Sequence, residues 1–173
     1  GAEHDQGAID FAVPFSFRVL TGFPPRYFFR FDPKADLSEG NAIDNQTIDL
    51  AAEFGAEVRT LESNGIEIRI VESGEGPLVI LVHGWPESWY SWRHQLPALA
   101  QAGYRVVAPD MRGYGGSALP FATEDYNIKE LAADVAGIIT ALDEESAVIV
   151  GHDWGAPVVW HTALLYSDKS DAV

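Results

Sequence analysis

The pentapeptide Gly151-His152-Asp153-Trp154-Gly155 restricts this chain more than any other stretch. It lies between a short buried-strand signal, Ala147 to Val150, and an apolar helix-forming segment, Ala156 to Tyr166, with Pro157 in the first turn. Glycines on either side of one polar residue permit a sharp strand-to-helix turn. Such a turn lifts the central side chain clear of the sheet edge and sets the helix N-terminus beneath it. A turn of this kind presupposes a parallel sheet.

The preceding segments supply one. Val58 to Glu62 and Ile66 to Glu72 alternate apolar and polar residues, and Asn64-Gly65 between them favours a tight hairpin with positive φ. Leu78 to Val82 is a continuous apolar run, as expected of a buried parallel strand. Tyr104 to Ala108 reads as a further strand, and Trp89 to Ala102 as one helix ending at Gly103 with Pro97 as an irregularity. Asn127 to Leu142 carries a helical apolar period. A hairpin followed by strand–helix alternation predicts an α/β fold whose sheet is mostly parallel.

Residues 56–173 form this regular region, and residues 1–55 read as an N-terminal extension. Seven of the nine phenylalanines fall between Phe11 and Phe31, interrupted by Pro14, Pro24 and Pro25; residues 32–57 are acidic. Residues 11–31 are expected to pack on the main body. Contact with a membrane surface is the less favoured reading, because no amphipathic helix is visible there.

Composition removes several functions. Eleven basic against 26 acidic side chains leave a net charge of −15, a field that repels a phosphate backbone and excludes nucleic acid as the expected partner. With no cysteine there is no disulfide scaffold, zinc–thiolate site or thiol nucleophile. A reducing compartment fits, and a cytoplasmic location is the expectation.

Aspartate at the centre of the turn sets the reaction class. A carboxylate attacking a carbonyl would give an anhydride, which does not help ester hydrolysis. At a saturated carbon it can displace a leaving group and form an alkyl ester of Asp153. Aspartate is already ionised at neutral pH, and a helix N-terminus favours that state. The competing role for Asp153 is an ordinary helix cap. A second motif, His83-Gly84-Trp85-Pro86, follows the strand at 78–82. In α/β-hydrolases the loop after this strand gives one backbone N–H of an oxyanion hole, and the residue after the nucleophile gives the other. Trp85 and Trp154 would then be the donors. Gly84 would allow close approach and Pro86 would fix the loop; Gly151 and Gly155 would make the turn. His83 is expected to be a buried residue bonded to loop groups and not a catalytic base. Asp110 and Arg112 are expected to bond neighbouring loops.

The segments HGWPESWYSWRHQ (83–95), APDMRGYGGS (108–117) and GHDWGAPV (151–158) resemble the α/β-hydrolase-fold epoxide hydrolases, over residues 56–173. The resemblance implies attack of Asp153 on an epoxide carbon and hydrolysis of the ester to a vicinal diol, with no metal and no organic cofactor. It implies a small apolar epoxide as substrate. Haloalkane dehalogenases are similar and remain the alternative, although they usually carry a halide-binding asparagine where this chain has Trp85. Fluoroacetate dehalogenases typically place an arginine where Trp154 stands, and an esterase would have serine at 153. A non-catalytic binding fragment is the alternative from another class.

The resemblance also requires an acid and a histidine after the nucleophile, and cap tyrosines. Only His161 follows Asp153, eight residues along the same helix. The expected α/β-hydrolase core is therefore incomplete, with the cap and C-terminal half supplied by a further segment or chain. The strand at 147–150 is expected to be left as an unpaired apolar edge. Trp85, Trp89, Trp92 and Trp154 suggest an aromatic-lined pocket.

Overall fold

The computed structural model describes residues 45–173. The expectations placed on residues 11–31 lie outside the described residues. Residues 45–53, within the segment read as the extension, form helix α1 (Asn45–Glu53). Ala51 of this helix is buried in the core.

The hairpin forms as its turn chemistry dictates. Strands β1 (Glu57–Ser63) and β2 (Ile66–Ser73) pair antiparallel, with Ser63 opposite Ile66. Asn64 and Gly65 take φ of 50° and 75°, as a two-residue turn with matching twist requires. The chain continues through β3 (Leu78–Val82), a short 3-10 turn at Trp89–Trp92, α2 (Gln95–Gln101) and β4 (Arg105–Pro109). Then come a 3-10 turn at Thr123–Tyr126, α3 (Ile128–Ala141), β5 (Ala147–Gly151), α4 (Gly155–Leu165) and β6 (Ser170–Ala172). The six strands lie in the order β1-β2-β4-β3-β5-β6. β2 meets β4 antiparallel, and the β4–β3, β3–β5 and β5–β6 pairs are parallel.

The unbroken apolar run of β3 follows from its place in the sheet, where both faces are covered. Leu78, Ile80 and Val82 face one core with Val135, Ile139 and Val158 of α3 and α4. Val79 and Leu81 face a second core with Ala51, Trp89 and Leu96. Asn127 caps α3, its side chain accepting from the backbone N–H of Lys129 and Glu130.

Two sequence expectations are corrected. The single helix over 89–102 is divided. Ser88 caps the 3-10 turn, and α2 restarts at Gln95, so Pro97 falls in its first turn where the missing N–H has no helical partner to lose. The strand at 147–150 is also not an unpaired edge. After α4 the chain turns back and β6 pairs with it, Ala147 opposite Ser170. A three-residue strand reading Ser-Asp-Ala carries no periodic signal to find.

Candidate active site

The three loops that leave β3, β4 and β5 meet at the same end of the sheet. Asp153 sits at the apex of the last one with φ of 53°, left-handed for a non-glycine residue. Holding a side chain there costs about 1–3 kcal/mol and needs surroundings that enforce it. Gly155 packs against the Val82 and His83 carbonyls, and Gly151 against the Gly155 carbonyl, leaving no space for a Cβ at either. These are the glycines the turn was expected to require. Asp153 does not act as an ordinary helix cap: Trp154 holds the N-cap position of α4 and makes no side-chain cap bond.

The backbone N–H of Trp85 donates to Asp153 Oδ1 at 3.0 Å. Hydrogen bonds from the Trp85 and Trp154 amides hold the Asp153 carboxyl below the usual carboxylate range, which keeps it ionised. The geometry thus converges the two expected donors on one carboxylate. Gly84 makes the approach feasible, because a Cβ there would lie 2.5 Å from Asp153 Cβ. The next peptide, Trp85–Pro86, is cis.

The donor loop is held from three sides. Glu87 Oε2 accepts from the Gly84 N–H at 3.0 Å, and its Oε1 lies 3.6 Å from His152 Nδ1. His83 is buried; its Nδ1 meets the Gly84 carbonyl at 2.8 Å and its Nε2 accepts from the Met111 N–H at 3.0 Å. That pattern places the proton on Nδ1, and burial pushes the imidazole pKa down. His83 is the loop-bonded residue expected, with both ring nitrogens engaged. Asp110 Oδ1 accepts from the Trp89 N–H, and its Oδ2 binds Arg69 at 2.6 Å. Arg112 pairs with Asp134 of α3 at 2.6 Å. Both were expected to bond neighbouring loops; instead Asp110 reaches β2 and the 3-10 turn, and Arg112 reaches α3, because the folded sheet and helix lie directly beside this loop.

Beside the carboxylate lies a cavity of about 400 Å³, bordered by Trp85, Trp154, Met111, Tyr114, Tyr126 and Leu131 among others. Its lining is mainly apolar. Burial, with Tyr126 and Asp153 adding to it, pushes the Tyr114 hydroxyl pKa up. Of the four tryptophans expected to line a pocket, Trp85 and Trp154 line this one, and Trp92 lines a separate hollow with Arg93 and His152. Trp89 is instead a core residue, because the 3-10 turn directs it inward. Glu87, Tyr114, Tyr126 and Leu131 were not identified from the sequence. Leu131 belongs to the apolar face of α3, where cavity wall and core look alike as letters.

His161 does not join the site. Its Nδ1 is bonded to the Pro157 carbonyl one turn earlier in α4. Asp168 and Asp171 are exposed near the sheet's terminal strand.

A mixed sheet in this strand order, with an acidic residue on the turn after β5 and backbone amides aimed at it, defines an α/β-hydrolase core. The family model described as alpha/beta hydrolase fold matches residues 77–173, and the chain belongs to that family. It is similar to epoxide hydrolase A of Mycobacterium tuberculosis, 56% identical over 117 residues that make up 66% of this chain and 36% of that protein. Among solved structures it is similar to epoxide hydrolase A of Mycobacterium thermoresistibile (55% identity, TM-score 0.65, 66% of this chain and 37% of that one). It is also similar to an epoxide hydrolase of Vigna radiata (47% identity, TM-score 0.67, 68% and 37%). The chain spans about a third of the length of the first curated relatives it matches. Among the described residues no helix is long and apolar enough to cross a membrane.

Proposed function

We infer that this chain carries the nucleophilic half of an epoxide hydrolase. The observation that carries the reading is the Asp153 carboxylate, held ionised at positive φ by main-chain amides beside an apolar cavity. The names of the relatives support the substrate class.

In the first step, the Asp153 carboxylate oxygen not held by Trp85 attacks a ring carbon. The ring C–O bond breaks, and the departing oxygen takes a proton. The products are an alkyl ester of Asp153 and a free hydroxyl. In the second step, water adds to the ester carbonyl carbon. Negative charge then grows on Oδ1, which the Trp85 amide already faces, and the Trp154 amide bonds the same carboxyl group, so the pair act as an oxyanion hole. Collapse releases the diol and regenerates Asp153. The second step needs a base to activate water. Among the described residues, His83 has no free ring nitrogen, His94 packs edge-on against Phe54, His161 Nδ1 is tied to Pro157, and His152 turns toward Glu87. A further segment or chain supplies that base, its acid partner and the proton donor of the first step.

The test is covalent trapping. The chain is incubated with styrene oxide, and intact mass followed by peptide mapping locates any adduct. One substrate mass added on Asp153 supports the reading. No adduct, either alone or together with the complementary part of a relative, refutes it and favours a binding fragment.

A further inference from the structure

Helix α1 precedes residues 77–173, the region matched by the family model, yet its contacts lead to the donor loop. Two routes run from it. The first is polar. Thr47 Oγ1 accepts from Arg69 Nη1 at 3.3 Å, Arg69 pairs with Asp110 Oδ2 at 2.6 Å, and Asp110 Oδ1 accepts from the Trp89 N–H at 3.0 Å. Arg69 and Asp110 are buried, where water screens the pair little. The second route is apolar. Ala51 is fully buried in the core that holds Trp89 and Leu96. Phe54, one residue past α1, meets the rings of Tyr90 and His94 edge-on, each at 6.0 Å between centroids. Both routes end on the turn at Trp89–Trp92 or directly after it.

That turn is joined to Trp85 by a short bonded segment. Ser88 caps the turn, its side chain accepting from the Tyr90 N–H. Glu87 closes the loop before it: its N–H donates to the Gly84 carbonyl at 3.3 Å, and its carboxylate accepts from the Gly84 N–H at 3.0 Å. A shift of Trp89 is therefore passed to the Trp85 amide, which donates to Asp153.

We propose that α1 is a brace for the donor loop, with Thr47 and Phe54 as positioning residues that hold the Trp85 amide on Asp153 through the Trp89–Trp92 turn. Neither residue borders the cavity beside Asp153. A change in the seating of α1 would thus alter the donor with every residue of the site intact. The proposal rests on the functional reading only for what the Trp85 amide does in catalysis; whether α1 fixes that amide is read with no epoxide present.

The experiment is amide hydrogen exchange on the full chain, followed by NMR at Trp85 and Trp89. Thr47→Val removes the acceptor oxygen at nearly constant shape. It should speed exchange at both amides about tenfold, the scale of one hydrogen bond to a charged group. Thr47→Ser should restore the wild-type rate. Phe54→Leu should speed exchange about fivefold, the scale of an aromatic edge contact. The Ile80 and Leu81 amides of β3 report opening of the core and serve as the internal reference. Acceleration at Trp85 beyond that of Ile80 and Leu81 supports the brace. Unchanged exchange at Trp85 in both Thr47→Val and Phe54→Leu, or acceleration no greater than at Ile80 and Leu81, overturns it. Trapping with styrene oxide is scored separately: a chain that takes up no epoxide yet shows the Trp85 acceleration keeps the brace and loses the functional reading.

Discussion

Gly84→Ala tests whether the two amides act on the chemistry or merely lie near it. The added Cβ would fall 2.5 Å from Asp153 Cβ, 2.7 Å from its Oδ1 and 2.9 Å from the His152 carbonyl. Carbon atoms pack at about 3.5–4.0 Å, so the loop must withdraw by roughly 1 Å. The Trp85 N–H···Oδ1 distance, 3.0 Å now, then opens to about 4 Å and is no longer a hydrogen bond. Removal of one oxyanion-hole donor costs about 10²–10³ in rate, or roughly 2.7–4 kcal/mol of transition-state stabilisation. The loss should fall chiefly on ester hydrolysis, where charge builds on Oδ1, and less on alkylation, where the carboxylate gives up charge. Rapid-quench mass spectrometry on the complemented assembly measures both steps: the Asp153 ester should accumulate in Gly84→Ala and then decay slowly. Hydrolysis at the wild-type rate, in a variant that folds normally, would refute the oxyanion role of Trp85.

Asp153→Ala should form no adduct with styrene oxide, while Asp153→Asn should acquire reactivity over hours or days as the amide hydrolyses; intact mass follows both, and a labelled Ala variant would remove the nucleophile assignment. Because amide hydrogen bonds lower the Asp153 pKa, the ionised form persists as pH falls through the ordinary carboxylate range near 3.8. Single-turnover alkylation should therefore keep most of its rate at pH 4 and be lost only further down; half-loss at or above the ordinary value contradicts this, provided circular dichroism shows the chain folded. Asp134→Ala removes the buried, two-pronged partner of the Arg112 guanidinium at 2.6 Å and leaves it the Asp125 carbonyl and the more distant Glu130 carboxylate at 3.8 Å. It should lower unfolding free energy by about 3–5 kcal/mol in urea titrations, and a change below about 1 kcal/mol would show that water reaches the pair.

Much of the fold was legible because several elements carry a one-dimensional signal. Asn64-Gly65 specified a hairpin, the Leu78–Val82 run specified a strand with two buried faces, and Gly151 with Gly155 specified a turn too tight for side chains. The break between Trp92 and Gln95 was not legible, since apolar spacing continues across it and no side-chain cap bond marks the restart of α2 after His94. β6 was invisible because its pairing depends on where α4 returns the chain. In the site, Asp153, Trp85 and Trp154 were found because a motif fixes them locally. Glu87 and Tyr114 were missed because their roles arise from partners that only the folded chain brings near.

The amides could not hold their aim if the loops were held by backbone conformation alone. Each of the three loops is latched to another by a polar side chain, buried for His83 and Asp110 and exposed for Asp153. His83 on the β3 loop accepts from Met111 on the β4 loop, Asp110 on the β4 loop accepts from Trp89 beyond the β3 loop, and Asp153 on the β5 loop accepts from Trp85. A buried acceptor left without its donor costs about 1–3 kcal/mol, so the His83 and Asp110 latches resist separation of the β3 and β4 loops, and the Trp85 bond ties the β5 turn to them. That mutual constraint holds Asp153 at a φ of 53° without requiring a stable loop of its own. It also means that the donors are in position before any substrate arrives, the condition under which backbone dipoles stabilise developing charge without reorganising. On the proposed mechanism, the Asp153 nucleophile and its amide donors are therefore positioned together by these three loops, whereas the base that would act on the ester is not part of that unit.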